Sequence, residues 1–316
     1  MKEELKNKTI AVLMGGESSE REISIKSAKA VSEALRAAGY NFHEVDAMRD
    51  VAVKLRDLSP DVVFIALHGG WGENGGIQGL LDVMGNPYTG SGVLASAIAM
   101  DKVMSKRIFI AAGLRVPPCV IFRQEELDEL INTMPIALPL VIKPSAEGSS
   151  VGVSLVKSID ELKQASNRCF SYGAVSIIEK FITGKEIHMA VLNSRVLGAV
   201  EVRPKGEIYD YEAKYVSGDT RYILPPELTQ VQYEKLSEAS LKAYEALGCS
   251  GVARIDTIYE LQTDTVFVLE VNTLPGMTET SLVPKIAKTA GYSFLELIEQ
   301  MLLEALNKHS HMYAGN

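Results

Sequence analysis

The chain has 316 residues, 47% of them hydrophobic and 23% charged, which is the composition of an ordinary globular protein long enough for a large core and two or three domains. Its net charge of −8 and lack of a long basic run argue against nucleic acid or an anionic membrane as main partner, while a local positive pocket for phosphates stays open. Cys119, Cys169 and Cys249 are widely spaced, with no Cys-x-x-Cys pair, and read as reduced thiols; the apolar run Ile10 to Met14 is too short for a signal-peptide core or a membrane span. A soluble, cytoplasmic protein is expected.

From the N-terminus, Thr9 to Met14 has the pattern of a buried strand and runs into Gly15-Gly16. Ser19 followed by Glu22 reads as a capping box, so a helix should start there and carry Ala28, Val31, Leu35 and Ala38 on one face until Gly39 ends it. Strand, glycine turn and helix suggest a dinucleotide site. The glycines lack the Gly-x-Gly-x-x-Gly spacing, however, and Glu20 stands in the first turn, where a pyrophosphate needs bare amides. An acid there suits an ammonium group, or simply complements the helix dipole. Asp61 to Leu67 reads as a second strand, ending in a segment, residues 68–76, with five glycines in nine residues. That is a loop at the carboxyl edge of a parallel sheet, where open α/β folds bind ligands, and His68 sits at its lip.

Helices are expected from Gly76 to Met84 and from Val93 to Ala112, the latter with Asp101-Lys102 midway. Leu138 to Lys143 is a strand, and the small-residue loop Ser145 to Val153 can fold its amides over a phosphate, with Lys143 supplying charge. It is not a Walker loop, since Gly-Lys-Ser/Thr and a following helix are missing. Val175 to Glu179 is a further strand; beyond it, Lys180-Phe181-Ile182 and Glu186 either line an adenine slot with an acid for the ribose or merely end a strand. Strands at Ile187 to Leu192 and Arg195 to Val202 precede a polar, tyrosine-bearing stretch, Pro204 to Pro226, which reads as a lid. A helix from Glu227 to Leu247 follows, and a short one near Leu282 to Ala290 with Ser281 as its N-cap, a seat for a carboxylate.

Between those two helices, Val252 to Leu261 and Thr265 to Asn272 read as an antiparallel hairpin. Glu270 and Asn272 share a face because side chains two apart on a strand do. A three-residue loop, Gln262-Thr263-Asp264, would set Asp256 opposite Glu270 on that face, whereas a two-residue loop would turn it away; an odd-numbered loop or a bulge is required. Given that register, three oxygen donors converge beside Arg254, a set that suits magnesium.

Several of these segments together carry a family signature: Gly15-Gly16-x-Ser18-x-Glu20-Arg21, His68-Gly69-x-x-Gly72-Glu73, Met100-Asp101-Lys102, Lys143-Pro144-Ser145-x-Glu147-Gly148-Ser149-Ser150-Val151-Gly152, Tyr211-Glu212-Ala213-Lys214-Tyr215, Arg254-Ile255-Asp256 and Glu270-x-Asn272-Thr273-x-Pro275-Gly276-Met277-Thr278. In these the chain resembles the D-alanine–D-alanine ligases from about residue 9 to about residue 300. The resemblance implies an ATP-grasp fold, α/β with an α+β nucleotide-binding part: an N-terminal parallel-sheet domain over residues 1–100, a central part over 101–185 and a C-terminal part over 186–316 with the lid at 204–226. It implies ATP held by Lys102, Lys143, Lys214, Glu179, Lys180, Phe181, Ile182 and Glu186, with the Ser149, Ser150 and Val151 loop over its phosphates. Two Mg²⁺ or Mn²⁺ ions would be held by Asp256, Glu270 and Asn272, with Asn272 also facing the nucleotide. Glu20, linked to Ser149 and Tyr215, would meet the first D-alanine's ammonium near His68; Arg254 and the Gly276 amide would stabilise the oxyanion; Ser281 and Leu282 would receive the second D-alanine. The resemblance further implies peptidoglycan precursor synthesis and a homodimer.

Small departures stand out: Asn74 where Asp is common, and His188 where Thr is frequent. Tyr215 is retained, which favours D-alanine over D-lactate as second substrate. The competing readings are a ligase that uses D-lactate or D-serine, a nucleotide-binding regulator without turnover, and a dinucleotide-dependent dehydrogenase, disfavoured by the glycine spacing.

Overall fold

The computed structural model describes residues 2–209 and 218–313, and its frame is three sheets. After a short helix α1 (Lys2–Lys6), strands β1 (Thr9–Met14), β2 (Asn41–Asp46) and β3 (Val62–Ile65) form a parallel sheet in the order β2-β1-β3. Strands β1 and β3 are covered on both faces and so read as continuous apolar runs. Strand β2, with Val45 its one buried residue, lies at the sheet edge, and neither it nor α3 (Val51–Leu58) carries a period strong enough to be read in advance.

Helix α2 (Arg21–Ala37) buries Ala28, Val31 and Leu35 as expected, but the capping box does not form. Glu20 occupies the N-cap position, and Ser18 Oγ accepts the Glu20 N–H (3.2 Å) while donating to the His68 carbonyl (2.5 Å). The turn is thus tied to the neighbouring glycine loop. There α4 (Gly70–Glu73) is a single turn, followed by α5 (Gly76–Met84). The long helix expected from Val93 to Ala112 is two helices, α6 (Val93–Met100) and α7 (Lys102–Ala111). Asp101 is extended between them, and its carboxylate accepts the N–H groups of Val103 and Met104, an N-cap within what the apolar period presents as one helix.

The second sheet is antiparallel, order β4-β7-β5-β6: β4 (Cys119–Arg123), β5 (Leu140–Pro144), β6 (Ser154–Val156) and β7 (Val175–Lys180). Helices α8 (Leu127–Thr133) and α9 (Ile159–Phe170) cover it around Leu130, Leu140, Leu162 and Ile178. The third, also antiparallel, runs β10-β9-β8-β11-β12: β8 (Lys185–Leu192), β9 (Arg195–Arg203), β10 (Arg221–Ile223), β11 (Val252–Glu260) and β12 (Thr265–Asn272). Helix α10 (Gln230–Ala246) packs on it, opened by a Thr229/Gln232 capping box three residues beyond the expected start at Glu227. Helices α11 (Leu282–Thr289) and α12 (Phe294–Tyr313) complete the fold, and α12 returns to the first sheet, where Tyr40 donates to Glu299 (2.7 Å). Among the described residues no helix is long and apolar enough to cross a membrane.

The first sheet and the third meet at Gly90 and Gly251. Ser250 Oγ donates to the Gly90 carbonyl (3.0 Å), and Lys308 Nζ reaches the same carbonyl (3.2 Å). Gly251 lies at φ +64, and a Cβ there would stand 2.9 Å from Gly90 Cα. Gly251→Ala combines left-handed strain with a backbone clash and is expected to cost on the order of 3 kcal/mol. Thermal unfolding reads this out: a midpoint equal to wild type contradicts the close approach.

Candidate active site

The hairpin sets the geometry. Glu260 pairs with Thr265, so the loop has four residues, 261–264, rather than the expected three. An even loop alone would turn Asp256 and Glu270 to opposite faces. A β-bulge beyond Asp256 shifts the register by one, so that Thr257 faces Val268 while Asp256 faces Glu270 and Arg254 faces Asn272. All four side chains thereby project from one face.

Asp256 is 2% exposed and heavily engaged. Arg254 grips it with a fork, Nε to Oδ1 at 2.7 Å and Nη2 to Oδ2 at 2.8 Å, and Asn272 Nδ2 donates to Oδ2 at 3.1 Å. His188 Nδ1 stands 2.9 Å from Oδ1, off the line of a well-aligned hydrogen bond. Burial opposes the charge on Asp256, but Arg254 and His188 outweigh it and hold the carboxyl well below its usual range. Burial likewise opposes the Arg254 charge, and Asp256 and Glu270 push its pKa up. Among the described residues no group of three or more His, Cys, Asp or Glu forms a self-contained metal cage. Two carboxylates and the Asn272 amide oxygen instead offer three oxygen donors beside Arg254, a set that fits a hard cation filling its shell with water and phosphate oxygens.

Two cavities flank this face. One, of about 330 Å³, is lined by Glu20, His68, Ser149, Arg254, Asn272, Gly276, Ser281 and Leu282. The other, of about 690 Å³, is lined by Lys143, Ser150, Glu179, Lys180, Phe181, Ile182, Glu186 and Asp256. Lys102, Tyr209 and Glu270 line both. Most residues expected to hold amino acids are thus gathered in one cavity and most of those expected to hold nucleotide in the other, while Ser149 and Asn272, also expected to face nucleotide, line only the smaller. Val151 lines neither; its N–H closes a turn onto the Gly148 carbonyl (3.0 Å). Lys214 and Tyr215 lie outside the described residues.

In the smaller cavity Ser149 Oγ hydrogen-bonds the Glu20 carboxylate, and the glycines of both loops leave room for it. A Cβ on Gly69 would stand 2.4 Å from Glu20 Oε2, and one on Gly148 3.0 Å. Ser149 (φ 49) and Ser150 (φ 57) are consecutive left-handed residues, anchored by the Glu20 bond and by Ser150 Oγ donating to the Tyr209 carbonyl (3.3 Å). Ser281 precedes α11, but its Oγ accepts the Thr278 N–H (3.1 Å) instead of capping its own helix. The first-turn amides of α11 are therefore left without a side-chain cap.

His68 Nε2 sits 3.1 Å from Ser27 Oγ, and burial pushes its pKa down to about 4, so the ring is neutral. Nearby Glu73 accepts the Gly69 N–H (3.0 Å), and burial followed by the Glu20 charge pushes its carboxyl up to about 7. These two shifts have opposite linkage. From pH 6.5 down to 4 the unfolded chain binds a proton at His68 that the native state refuses, so this contribution falls with falling pH. From pH 4.5 up to 7 the native state keeps the Glu73 proton that the unfolded chain releases, so that contribution falls with rising pH. Each amounts to at most about 3 kcal/mol, and they nearly cancel. Relative to wild type, Glu73→Gln should make unfolding stability rise more steeply between pH 4 and 6.5, and His68→Asn should tilt it the other way; superimposable profiles contradict both shifts.

In the larger cavity, the Lys102 N–H donates to the Ser145 carbonyl (2.8 Å), and its Nζ donates to the Glu147 carbonyl (2.6 Å) and lies 3.5 Å from Glu270. Glu179 is 2% exposed, with Lys106 Nζ at 2.7 Å and Lys143 Nζ at 2.8 Å from its two oxygens. Burial disfavours the Glu179 charge, yet the two lysines pull its pKa down to about 2. Its carboxylate, expected among the adenine and ribose contacts, is engaged in orienting Lys143. Lys106 was not anticipated, although its place four residues after Lys102 on α7 puts it on the same helix face. Ser27 was also missed; a serine within the buried stripe of α2 is the signal.

The chain matches family models described as D-ala D-ala ligase N-terminus over residues 43–91 and D-ala D-ala ligase C-terminus over residues 108–303. It is 48% identical over 303 residues to the D-alanine–D-alanine ligase of Citrifermentans bemidjiense, covering 96% of this chain and 98% of the relative. The chain belongs to the D-alanine–D-alanine ligase family. The ligase of Geobacter sulfurreducens is 47% identical over 317 residues, covering 100% and 99%. Among solved structures, that of the Bacillus anthracis ligase complexed with ATP has a TM-score of 0.82 at 32% identity over 96% of this chain and 99% of that one. The VanG D-Ala:D-Ser ligase of Enterococcus faecalis also has a TM-score of 0.82, at 29% identity over 95% and 99%. The expected α/β ATP-grasp fold is the fold of this ligase family.

Proposed function

We propose that the chain joins two D-alanines into D-alanyl-D-alanine, converting ATP to ADP and phosphate through an acyl phosphate, for peptidoglycan precursor synthesis. The observation that carries this is the shared wall: Arg254 faces the smaller cavity, its partner Asp256 faces the larger, and Lys102 and Glu270 line both. An acid activated in one cavity by phosphate from the other would react at that wall.

In this reading Glu20, held by Ser149, receives the ammonium of the first D-alanine and turns its carboxylate toward Lys102 and Arg254. Lys102 and Lys143 neutralise the transferring phosphate, since phosphoryl transfer is mainly positioning and charge compensation. Asp256, Glu270 and Asn272 would hold two Mg²⁺ ions, which would supply positive charge to offset that of the phosphates. The uncapped first turn of α11 beside Ser281 and Leu282 receives the carboxylate of the second D-alanine. Its free amine attacks the acyl phosphate, and Arg254 with the Gly276 amide meets the oxyanion before phosphate leaves. Exclusion of water protects the acyl phosphate from hydrolysis. The division at residues 100 and 185, a cytoplasmic location and a homodimer belong to the same proposal.

With ATP, Mg²⁺ and D-alanine the protein is expected to release ADP, phosphate and dipeptide. ADP release that ignores D-alanine would sink the proposal and favour the nucleotide-binding regulator. The likeness to a D-Ala:D-Ser ligase makes the acceptor a separate question, to which D-serine and D-lactate in competition with D-alanine give the answer. Retention of Tyr215 supports D-alanine as the preferred acceptor over D-lactate.

A further inference from the structure

We infer that His188 is a positioning residue that couples the nucleotide side of the cleft to the cation side, so that filling one tightens the other; this rests on the ligase reading above. His188 lies on β8 directly opposite Asp256 of β11 and two residues from Glu186, which puts all three side chains on one face. The ring is 1% exposed, with Nε2 at 2.9 Å from Glu186 Oε1 and Nδ1 at 2.9 Å from Asp256 Oδ1. One imidazole therefore spans the acid proposed for the ribose and the acid proposed for the cation. Its edge also meets the Tyr209 ring, centroids 5.7 Å apart, and Tyr209 lines both cavities.

The span is what a smaller side chain lacks. A threonine hydroxyl at this place could reach one carboxylate but not both, and would leave Glu186 and Asp256 to move independently. With His188 between them, a shift of Glu186 toward a ribose hydroxyl moves the ring against Asp256, adding to the hold that Arg254 and Asn272 have on that carboxylate. Close packing around the buried ring leaves no slack, so a displacement is passed on rather than absorbed.

The test is ADP binding by calorimetry with and without Mn²⁺, and Mn²⁺ binding by electron paramagnetic resonance, on wild type, His188→Thr and His188→Gln. In wild type Mn²⁺ should tighten ADP, and His188→Thr should shrink the tightening factor by about fivefold or more, the low end of ordinary coupling between sites. His188→Gln, longer and with two amide N–H donors to offer the pair of carboxylates, should fall between, and it alone decides the matter if His188→Thr does not fold. An unchanged tightening factor overturns the inference, whether the separate affinities stay the same or fall together, since a merely structural role predicts the latter. If wild type itself fails to bind ADP, the ligase reading fails and the inference with it.

Discussion

Arg254→Ala is expected to lower dipeptide formation by on the order of a hundredfold or more, the scale of losing one oxyanion donor. It should also be less stable by about 3–5 kcal/mol, because Asp256 is 2% exposed and would lose both arms of its fork at 2.7 and 2.8 Å. Arg254→Lys separates the two effects. A lysine returns the charge but not the planar pair of donors, so it should regain part of the stability and little of the turnover. ADP affinity measured without divalent cation should stay within a few-fold of wild type in both variants. Steady-state ADP release and thermal unfolding give the readouts; wild-type turnover in Arg254→Ala would remove the guanidinium from the reaction altogether.

Glu179→Gln is the second large effect. It leaves Lys106 and Lys143, 2% and 8% exposed, facing a neutral amide and each other, at a cost of about 3–5 kcal/mol. Its pH signature follows from the depressed carboxyl, about 2 in the fold against 4.5 for the ordinary group. A depressed acid stabilises fully above its unfolded value, and that stability disappears as the pH falls through the folded one. Wild type should therefore lose about 3 kcal/mol between pH 4.5 and 2 that Glu179→Gln, already without it, does not lose. Adding Lys106→Met to Glu179→Gln removes the surplus buried cation and should recover part of the stability, leaving Lys143 free to meet phosphate. A single variant as stable as wild type contradicts the clamp.

Much of the molecule is legible in its order of residues. Strand β1, the β11 and β12 ribbons, the helical period of α2 and the glycine loops follow from neighbours a few positions apart, because strand and helix periods repeat locally. The motif-bearing loops made the family readable, and with it the residues to look for. Strand β2 was not readable because an edge strand with one buried residue carries no apolar run, and α12 shows its meaning only where it closes on Tyr40.

What the chain order could not decide is which side chains meet. Whether Asp256 joins Glu270 hung on one bulged residue in a four-residue hairpin, since a single step of register reverses every side chain of a strand. The bond between Glu20 and Ser149 spans 129 residues of sequence, and the Glu179 clamp draws on α7, β5 and β7 at once. Local periodicity determined many of the elements and their order; the partners of each buried charge were decided by tertiary packing, because a charge removed from water must find its counter-charge wherever the fold brings one.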